Sequence, residues 1–207
     1  MITSRRCVVG SSIALSKFDI EHSRAASCRK RCARRRSTAY TIASRGTDRN
    51  GAGGVDDRRL EDEAMMRRAL ELARHAGELG EVPVGAVVAR AGAIIAEAYN
   101  LRESTHDPTA HAERLALEAA GRATGHWRLD GCVVYVTLEP CAMCAGALVL
   151  ARVDRLVYAA ADPKAGACRS LYRLTNDRRL NHRIVTEGGL LAEECGELIS
   201  LFFRSRR

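Results

Sequence analysis

Cys132-Val-Val-Tyr-Val-Thr137, Cys141-Ala-Met-Cys-Ala-Gly-Ala-Leu-Val-Leu150 and Arg155-Leu-Val-Tyr-Ala-Ala160 follow one another with only short breaks. The first has the continuous apolar character of a strand in a sheet covered on both faces. The second is small and apolar and suits a buried helix, and the third is another strand. Working outward, Asp56 to Gly80 predicts a helix: acids cluster at its start, Met65, Ala69, Leu72, Ala76 and Leu79 recur at spacings of three and four, and Gly80 ends it. Val84 to Ala89 and Ala93 to Tyr99, separated by Arg90-Ala91-Gly92, read as a hairpin. Ala110 to Gly121 returns to helical period. Arg183 to Thr186 is a last strand and Leu191 to Arg204 a closing amphipathic helix. Helices alternating with strands after an opening hairpin predict an α/β chain, a three-layer α/β/α sandwich on a mixed sheet.

The chain has 207 residues, 46% of them hydrophobic, enough for one domain with a real core. Its net charge of +8 is unevenly spread: residues 1 to 50 hold 12 Lys and Arg against 3 Asp and Glu, leaving 21 against 22 for the remainder. The basicity therefore describes an appendage, and the body must be judged on local patches. Residues 1 to 56 are read as a basic, Arg- and Ser-rich disordered extension, with Gly51-Ala-Gly-Gly54 as a hinge, and residues 57 to 207 as the folded domain. The extension fits an organelle transit peptide better than a secretory leader; an RNA-binding tail and a segment without function are the other readings. No uncharged apolar run approaches the roughly 18 residues of a membrane span, since Cys141 to Ala151 is stopped by Arg152. Eight cysteines are too few for a disulfide scaffold, so a reducing, cytoplasmic setting with a metal or redox site is expected, organelle import through the extension being the alternative. Aromatic residues at 4% argue against a recognition surface of many stacked rings.

Two segments stand apart from packing logic: His111-Ala112-Glu113 and Pro140-Cys141-Ala142-Met143-Cys144. Cys141 and Cys144, three apart in a first helical turn, put their sulfurs on one face where the positive helix end favours thiolates. Positions two apart in a helix interior point about 200° apart, so His111 and Glu113 share a centre only beyond the helix end. Thr109 as N-cap achieves this, and Asp107 ahead of Pro108 is the competing cap. Cys, Cys and His leave a tetrahedral zinc with one position open to water, the arrangement of a catalytic site, with Glu113 at hand to accept and donate protons. A buried apolar pair, a redox dithiol, and a closed site completed by His106, His126, Cys132 or Cys168 are the alternatives.

With these residues quoted, the chain resembles the zinc nucleobase deaminases, whose signature is His-x-Glu followed by Pro-Cys-x-x-Cys, and among them the bacterial tRNA-specific adenosine deaminases. The closer resemblance rests on Glu81-Val-Pro-Val-Gly-Ala-Val87, Asn100, His106-Asp-Pro-Thr-Ala-His-Ala-Glu113, Tyr135-Val-Thr-Leu-Glu-Pro-Cys-Ala-Met-Cys-Ala-Gly146, Asp162-Pro-Lys-Ala-Gly166, Asn181-His-Arg183 and Leu201-Phe-Phe-Arg204. It implies a cytidine-deaminase-like fold, one Zn2+ per subunit, a homodimer, and hydrolysis of adenosine to inosine at the wobble position of a tRNA anticodon arm. By the same resemblance His111, Cys141 and Cys144 are the zinc ligands and Glu113 the proton shuttle. Asn100 binds nucleotide, Asp162 lies near a neighbouring ribose and Asn181 contacts the RNA backbone. Taken as residues alone, Asn100 and Asp162 are ordinary turn residues. Val84 and Leu138 are placed to line an apolar slot for the base, with Ala112 counted beside them as substrate-binding, and Lys164, Arg183, Arg204, Arg206 and Arg207 to meet phosphates. Arg169 stands where the family more often has Gly, so a positive φ there would be costly. Two other classes are weighed: a deaminase of free bases or nucleosides on the same fold, and a non-catalytic, zinc-stabilised RNA-binding module.

Overall fold

A computed structural model describes residues 53–206; residues 1–52, which carry most of the expected disordered extension, and Arg207 lie outside the described residues. In chain order the elements are α1 (Gly53–Glu78), β1 (Gly85–Arg90), β2 (Ala93–Tyr99), α2 (Arg102–Thr105), α3 (Ala112–Thr124), β3 (Cys132–Leu138), α4 (Ala142–Leu150), β4 (Arg155–Ala160), a 3-10 turn at Leu174–Asn176, β5 (Val185–Gly188) and α5 (Ala192–Arg204). The five strands form one sheet in the order β2-β1-β3-β4-β5. β1 is antiparallel to β2 and β3, whereas β3, β4 and β5 run parallel, so the sheet is mixed as expected.

Alternation along the central strands explains the three layers. Ala86 and Val88 of β1 and Val134 and Val136 of β3 pack with Ala116, Ala120, Ala145 and Leu148 of α3 and α4. Val87, Ala89 and Tyr135 face the other way, onto Met66, Ala69 and Leu70 of α1 and Cys195 of α5. Both faces are thus apolar, which is why β3 shows no polar alternation in sequence. α1 sits very close to β1 at Gly85, where an added Cβ would collide with the Ala69 carbonyl oxygen. Beneath α1 the Arg155 guanidinium donates to both Asp62 oxygens at 2.7 and 2.6 Å and to both Glu187 oxygens at 2.8 and 2.9 Å, and the Tyr135 hydroxyl donates to Asp62 at 2.7 Å. That network satisfies charges that would otherwise be buried unpaired.

The boundaries differ from expectation where local chemistry competes. α1 begins at Gly53, taking in two glycines read as hinge. α3 runs on through Gly121 to Thr124, because Gly125, with φ 70°, is the residue that takes the left-handed cap. Its start is Ala112 and its N-cap His111, not Thr109. The reason lies in Asp107, whose Oδ1 accepts both the Thr109 amide and hydroxyl at 2.7 Å, closing a turn that uses up the expected cap. β5 lies two residues later than predicted and is largely exposed, so apolar pattern marked it poorly. Gly188 at its end has no room for a Cβ under the Tyr158 ring. Arg169 does not adopt positive φ, so no strain attaches to arginine there. No helix among the described residues is long and apolar enough to cross a membrane.

Candidate metal centre and catalytic cavity

His111 and Cys141 are the N-cap residues of α3 and α4, both with extended backbone. A side chain at that position projects past the helix end, towards the unpaired amides and the positive pole. Cys144, in the first turn of α4, faces the same point from below. His111 Nδ1 lies 3.7 Å from Cys141 Sγ and 3.6 Å from Cys144 Sγ, and the three donor atoms fall within 4.8 Å of one another. Zinc bonded tetrahedrally to sulfur and imidazole nitrogen at ordinary lengths separates those atoms by about 3.6 Å. The donor set and its spacing therefore fit zinc. Among the described residues the cluster contains no fourth such donor: Cys132 is buried in the core and Cys168 directs its sulfur to the Pro140 carbonyl at 4.0 Å.

Glu113, two residues beyond the cap, is 4% exposed and stands beside the cluster without belonging to it. Burial, reinforced by the Cys141 sulfur, pushes its carboxyl above the ordinary glutamate range. The cysteines share a proton between them: the Cys144 contact, with His111 behind it, lowers Cys141 to about 4, while Cys144 is pushed far up by that same contact and by burial. His111, Cys141 and Cys144 would hold a divalent cation at this point, with both sulfurs as thiolates.

A cavity of about 130 Å³ opens beside the cluster, lined by Val84, Asn100, His111, Glu113, Leu138, Cys141 and Asp162 among others. Val84 and Leu138 thus form an apolar wall as expected, with Val82 added. Ala112 does not: it is fully buried in the core between strands and helix, because the N2 side chain that reaches the cavity is Glu113. Asn181 is exposed on the loop ahead of β5, its carbonyl held by Arg152 at 2.7 Å, and is not among the cavity residues. Lys164, Arg183, Arg204 and Arg206 are all exposed, Arg206 lying 4.2 Å over the Phe202 ring and bonded to the Gly80 carbonyl. Asp162 spends Oδ1 on the Lys164 and Ala165 amides at 2.9 and 3.2 Å; Oδ2 takes no hydrogen bond from a described residue. It is a turn residue and a cavity residue at once.

Two buried carboxylates carry the cavity walls and were not singled out from sequence. Glu139, 2% exposed, accepts the amides of Asp162, Cys168, Arg169 and Ser170 at 3.1, 3.1, 2.7 and 2.9 Å, and the Ser170 hydroxyl. Gly166 is obligatory beside it, since a Cβ would lie 2.5 Å from the Glu139 carboxylate and the Asp162 carbonyl. Glu81, fully buried, does the same for Asn100 and the start of α2. The available signal was an acid embedded in an apolar run, which costs several kcal/mol unless hydrogen-bonded.

A three-layer sandwich presenting His-x-Glu and Pro-Cys-x-x-Cys on adjacent helix ends defines a zinc-dependent deaminase of bases or nucleosides. Residues 59–160 match the cytidine and deoxycytidylate deaminase zinc-binding region. Over 147 residues the chain is 50% identical to the tRNA-specific adenosine deaminase of Bacillus subtilis, covering 71% of this chain and 91% of that protein. It is likewise 50% identical to that of Haemophilus influenzae, covering 70% and 85%. A structure from studies of A-to-I editing by tRNA:A34 deaminases superposes with a TM-score of 0.63 at 44% identity, over 65% of this chain and 98% of that one. A guanine deaminase from Nitrosomonas europaea gives 0.58 at 28% identity, over 68% and 83%. The chain belongs to the tRNA-specific adenosine deaminase family.

Glu139 generates a pH prediction. Burial alone would raise its pKa, but the bonds from Ser170, Arg169 and Asp162 outweigh this and hold it below the ordinary value of 4.5. Its stabilisation is present above the unfolded pKa and is lost as pH falls through the folded one. Glu139→Gln should cost about 1–3 kcal/mol near neutrality by leaving amides unpaired. It should also lose less further stability than wild type between about pH 7 and about pH 3. Urea midpoints of both proteins across that range check the difference in slope.

Proposed function

We propose that the chain hydrolyses adenosine to inosine at the wobble position of a tRNA anticodon. The observation that carries this reading is the buried Glu113 carboxyl beside a three-donor cluster and a small cavity walled by Val82, Val84 and Leu138, in a chain 50% identical over 147 residues to a tRNA-specific adenosine deaminase. When bound, zinc acidifies and orients a water and offsets developing negative charge.

The rest is the work of this chain's own residues. Water adds to C6 of the purine, the C6–N6 bond breaks and ammonia leaves. Glu113 takes a proton from the attacking water and passes it to the ring nitrogen N1, then takes the second from the new C6 hydroxyl and passes it to the departing amine. A carboxyl whose pKa is raised by burial holds a proton more readily than an ordinary glutamate and can hand it on to substrate. Val82, Val84 and Leu138 hold the flat faces of the base and exclude bulk water. Asn100 and Asp162 supply polar contacts at the rim. A cavity of about 130 Å³ accepts one extruded base and not a stacked duplex, so a hairpin loop, whose bases are already unpaired, is the least costly presentation. Exposed Lys164, Arg183 and Arg204 are available for phosphates.

The assay is purified protein with an anticodon stem-loop carrying a wobble adenosine, followed by base analysis for inosine; stronger turnover of free guanine or adenosine would assign the cavity to free substrates instead. Glu113→Ala should retain one zinc per chain by elemental analysis and lose about 10²–10⁴-fold in rate. Near-normal turnover in that variant would remove Glu113 from the mechanism.

Asp162 is read as the residue that senses ribose, with its free Oδ2 accepting a 2′-hydroxyl that deoxyribose lacks. Asp162→Asn leaves the Oδ1 turn intact and exchanges an acceptor for a donor, so the ratio of RNA to DNA turnover should fall. An unchanged ratio refutes the assignment.

The chain is also read as a homodimer. Ala145 and Leu148 of α4 are fully buried in the core and offer no surface for this. What supports the reading is the face between α3 and α4, where Trp127 and Leu150 stand 68% and 69% exposed beside Ala147 and Leu117. Light scattering should give twice the chain mass, and Leu150→Asp should shift it towards one; an active monomer at nanomolar concentration refutes it.

A further inference from the structure

We infer that Glu81 is a positioning residue for substrate, a buried carboxylate that turns the Asn100 amide so that its carbonyl oxygen faces the cavity. The inference rests on the deaminase reading of that cavity and adds a residue to it.

Glu81 lies in the connection between α1 and β1, fully buried, with its own amide held by the Ala76 carbonyl at 2.9 Å. Its side chain collects four donors: Asn100 Nδ2 at 3.1 Å, the Glu103 amide at 3.0 Å, the Ser104 amide at 2.6 Å and the Ser104 hydroxyl at 2.7 Å. Burial opposes ionisation, but the Ser104 and Glu103 bonds outweigh it, so the group is a carboxylate at neutral pH. An ionised carboxylate only accepts hydrogen bonds. Asn100 must therefore offer it the NH2 end, and the orientation of an amide that is otherwise free to flip by 180° is decided by charge. The backbone is held too, the Asn100 amide donating to the Val84 carbonyl at 3.0 Å.

The consequence falls on the opposite end of the amide. Asn100 Oδ1 has no hydrogen-bond partner among the described residues, and it is not sealed off: the sole buried, unpartnered side-chain polar atom among them is Arg90 Nε. Asn100 lines the cavity, so its carbonyl opens there as an acceptor for an O–H or N–H of the nucleoside. The same carboxylate orders the first turn of α2, which brings Arg102 to the cavity rim. A neutral glutamine at position 81 would present both an acceptor and a donor, and the amide at position 100 would lose its single preferred orientation.

The test is a kinetic cycle on the full-length zinc protein with a wobble-adenosine stem-loop, with zinc content and thermal midpoint measured alongside. Glu81→Gln should raise KM roughly tenfold, the effect of one misdirected hydrogen bond, with a smaller change in kcat. Asn100→Asp sets carboxylate against carboxylate and should raise KM at least as much. In the double variant the amide introduced at position 81 donates its NH2 to one oxygen of the carboxylate introduced at position 100, and the other oxygen faces the cavity. KM should then return to within about threefold of wild type, a non-additivity that a purely structural residue would not produce. Should Glu81→Gln fail to fold, Glu81→Asp keeps the charge but withdraws it by one methylene, and the same rise in KM is expected. A wild-type KM in either variant, or additive effects in the double variant, overturns the inference while leaving the deaminase reading intact. If wild type makes no inosine, the deaminase reading fails and this inference fails with it.

Discussion

Glu139 is the charge around which the cavity is assembled. It stands at the end of β3, one residue before Pro140 and two before the candidate ligand Cys141, and its carboxylate is almost completely removed from water. Such a group is tolerable only when surrounded by donors. The donors are backbone amides of the segment between Asp162 and Ser170, so satisfying the charge shapes the loop that carries Asp162. Pairing of Cys141 with Gly166 and the Ala167 amide bond to the Pro140 carbonyl continue the same seam. The candidate ligand Cys141 and the rim of the cavity are thus joined by one set of bonds, which a catalytic site needs if its groups are to stay in register.

Glu81 does for the opposite wall what Glu139 does for this one. Each carboxylate sits just outside an element end, and each replaces a run of solvent contacts with bonds to amides. The long connection between β4 and β5, which has only a 3-10 turn of its own, is held by these bonds together with Ala167, Cys168 and Ile184 buried in the core. The opposite surface of the sheet uses the same physics for a different purpose: Arg155 between Asp62 and Glu187 locks α1 to β4 and β5 far from the cavity.

The centre itself depends on two helix ends meeting. Both N-caps lack a side-chain hydrogen bond of the usual kind. The Cys141 sulfur instead takes the Cys144 amide, and His111 and Cys141 direct their donor atoms to one shared point. Helix poles oriented in this way favour thiolate and carboxylate charge, and they place Glu113 within the field of both. Burial then raises Glu113 where the pole would lower it, and burial prevails.

Much of this was legible in the residues alone. The continuous apolar run Cys132 to Thr137, the helix of small residues after it and the hairpin at Ala91-Gly92 identify a mixed sheet between helices, because periodicity reports directly on which faces meet water. The candidate ligands and Glu113 were equally visible, since His-x-Glu and Cys-x-x-Cys are each local patterns, though only the fold joins the two across some 30 residues. Other features were decided only in the folded chain. That Asp107 would take Thr109 and leave the cap to His111, and that Ala112 would point into the core, were settled by the fold, since the sequence offered both caps and did not say which face of α3 would meet the cavity. Asn181, read as an RNA contact, is exposed with only its backbone carbonyl held by Arg152, and Arg206 is exposed with its guanidinium bonded to the Gly80 carbonyl, contacts that only the fold brings about. Glu81 and Glu139 show the limit most clearly: in sequence each is one acid beside apolar neighbours, and only the fold brings four amides from a loop 23 to 31 residues away to Glu139 and explains why a charge is buried there.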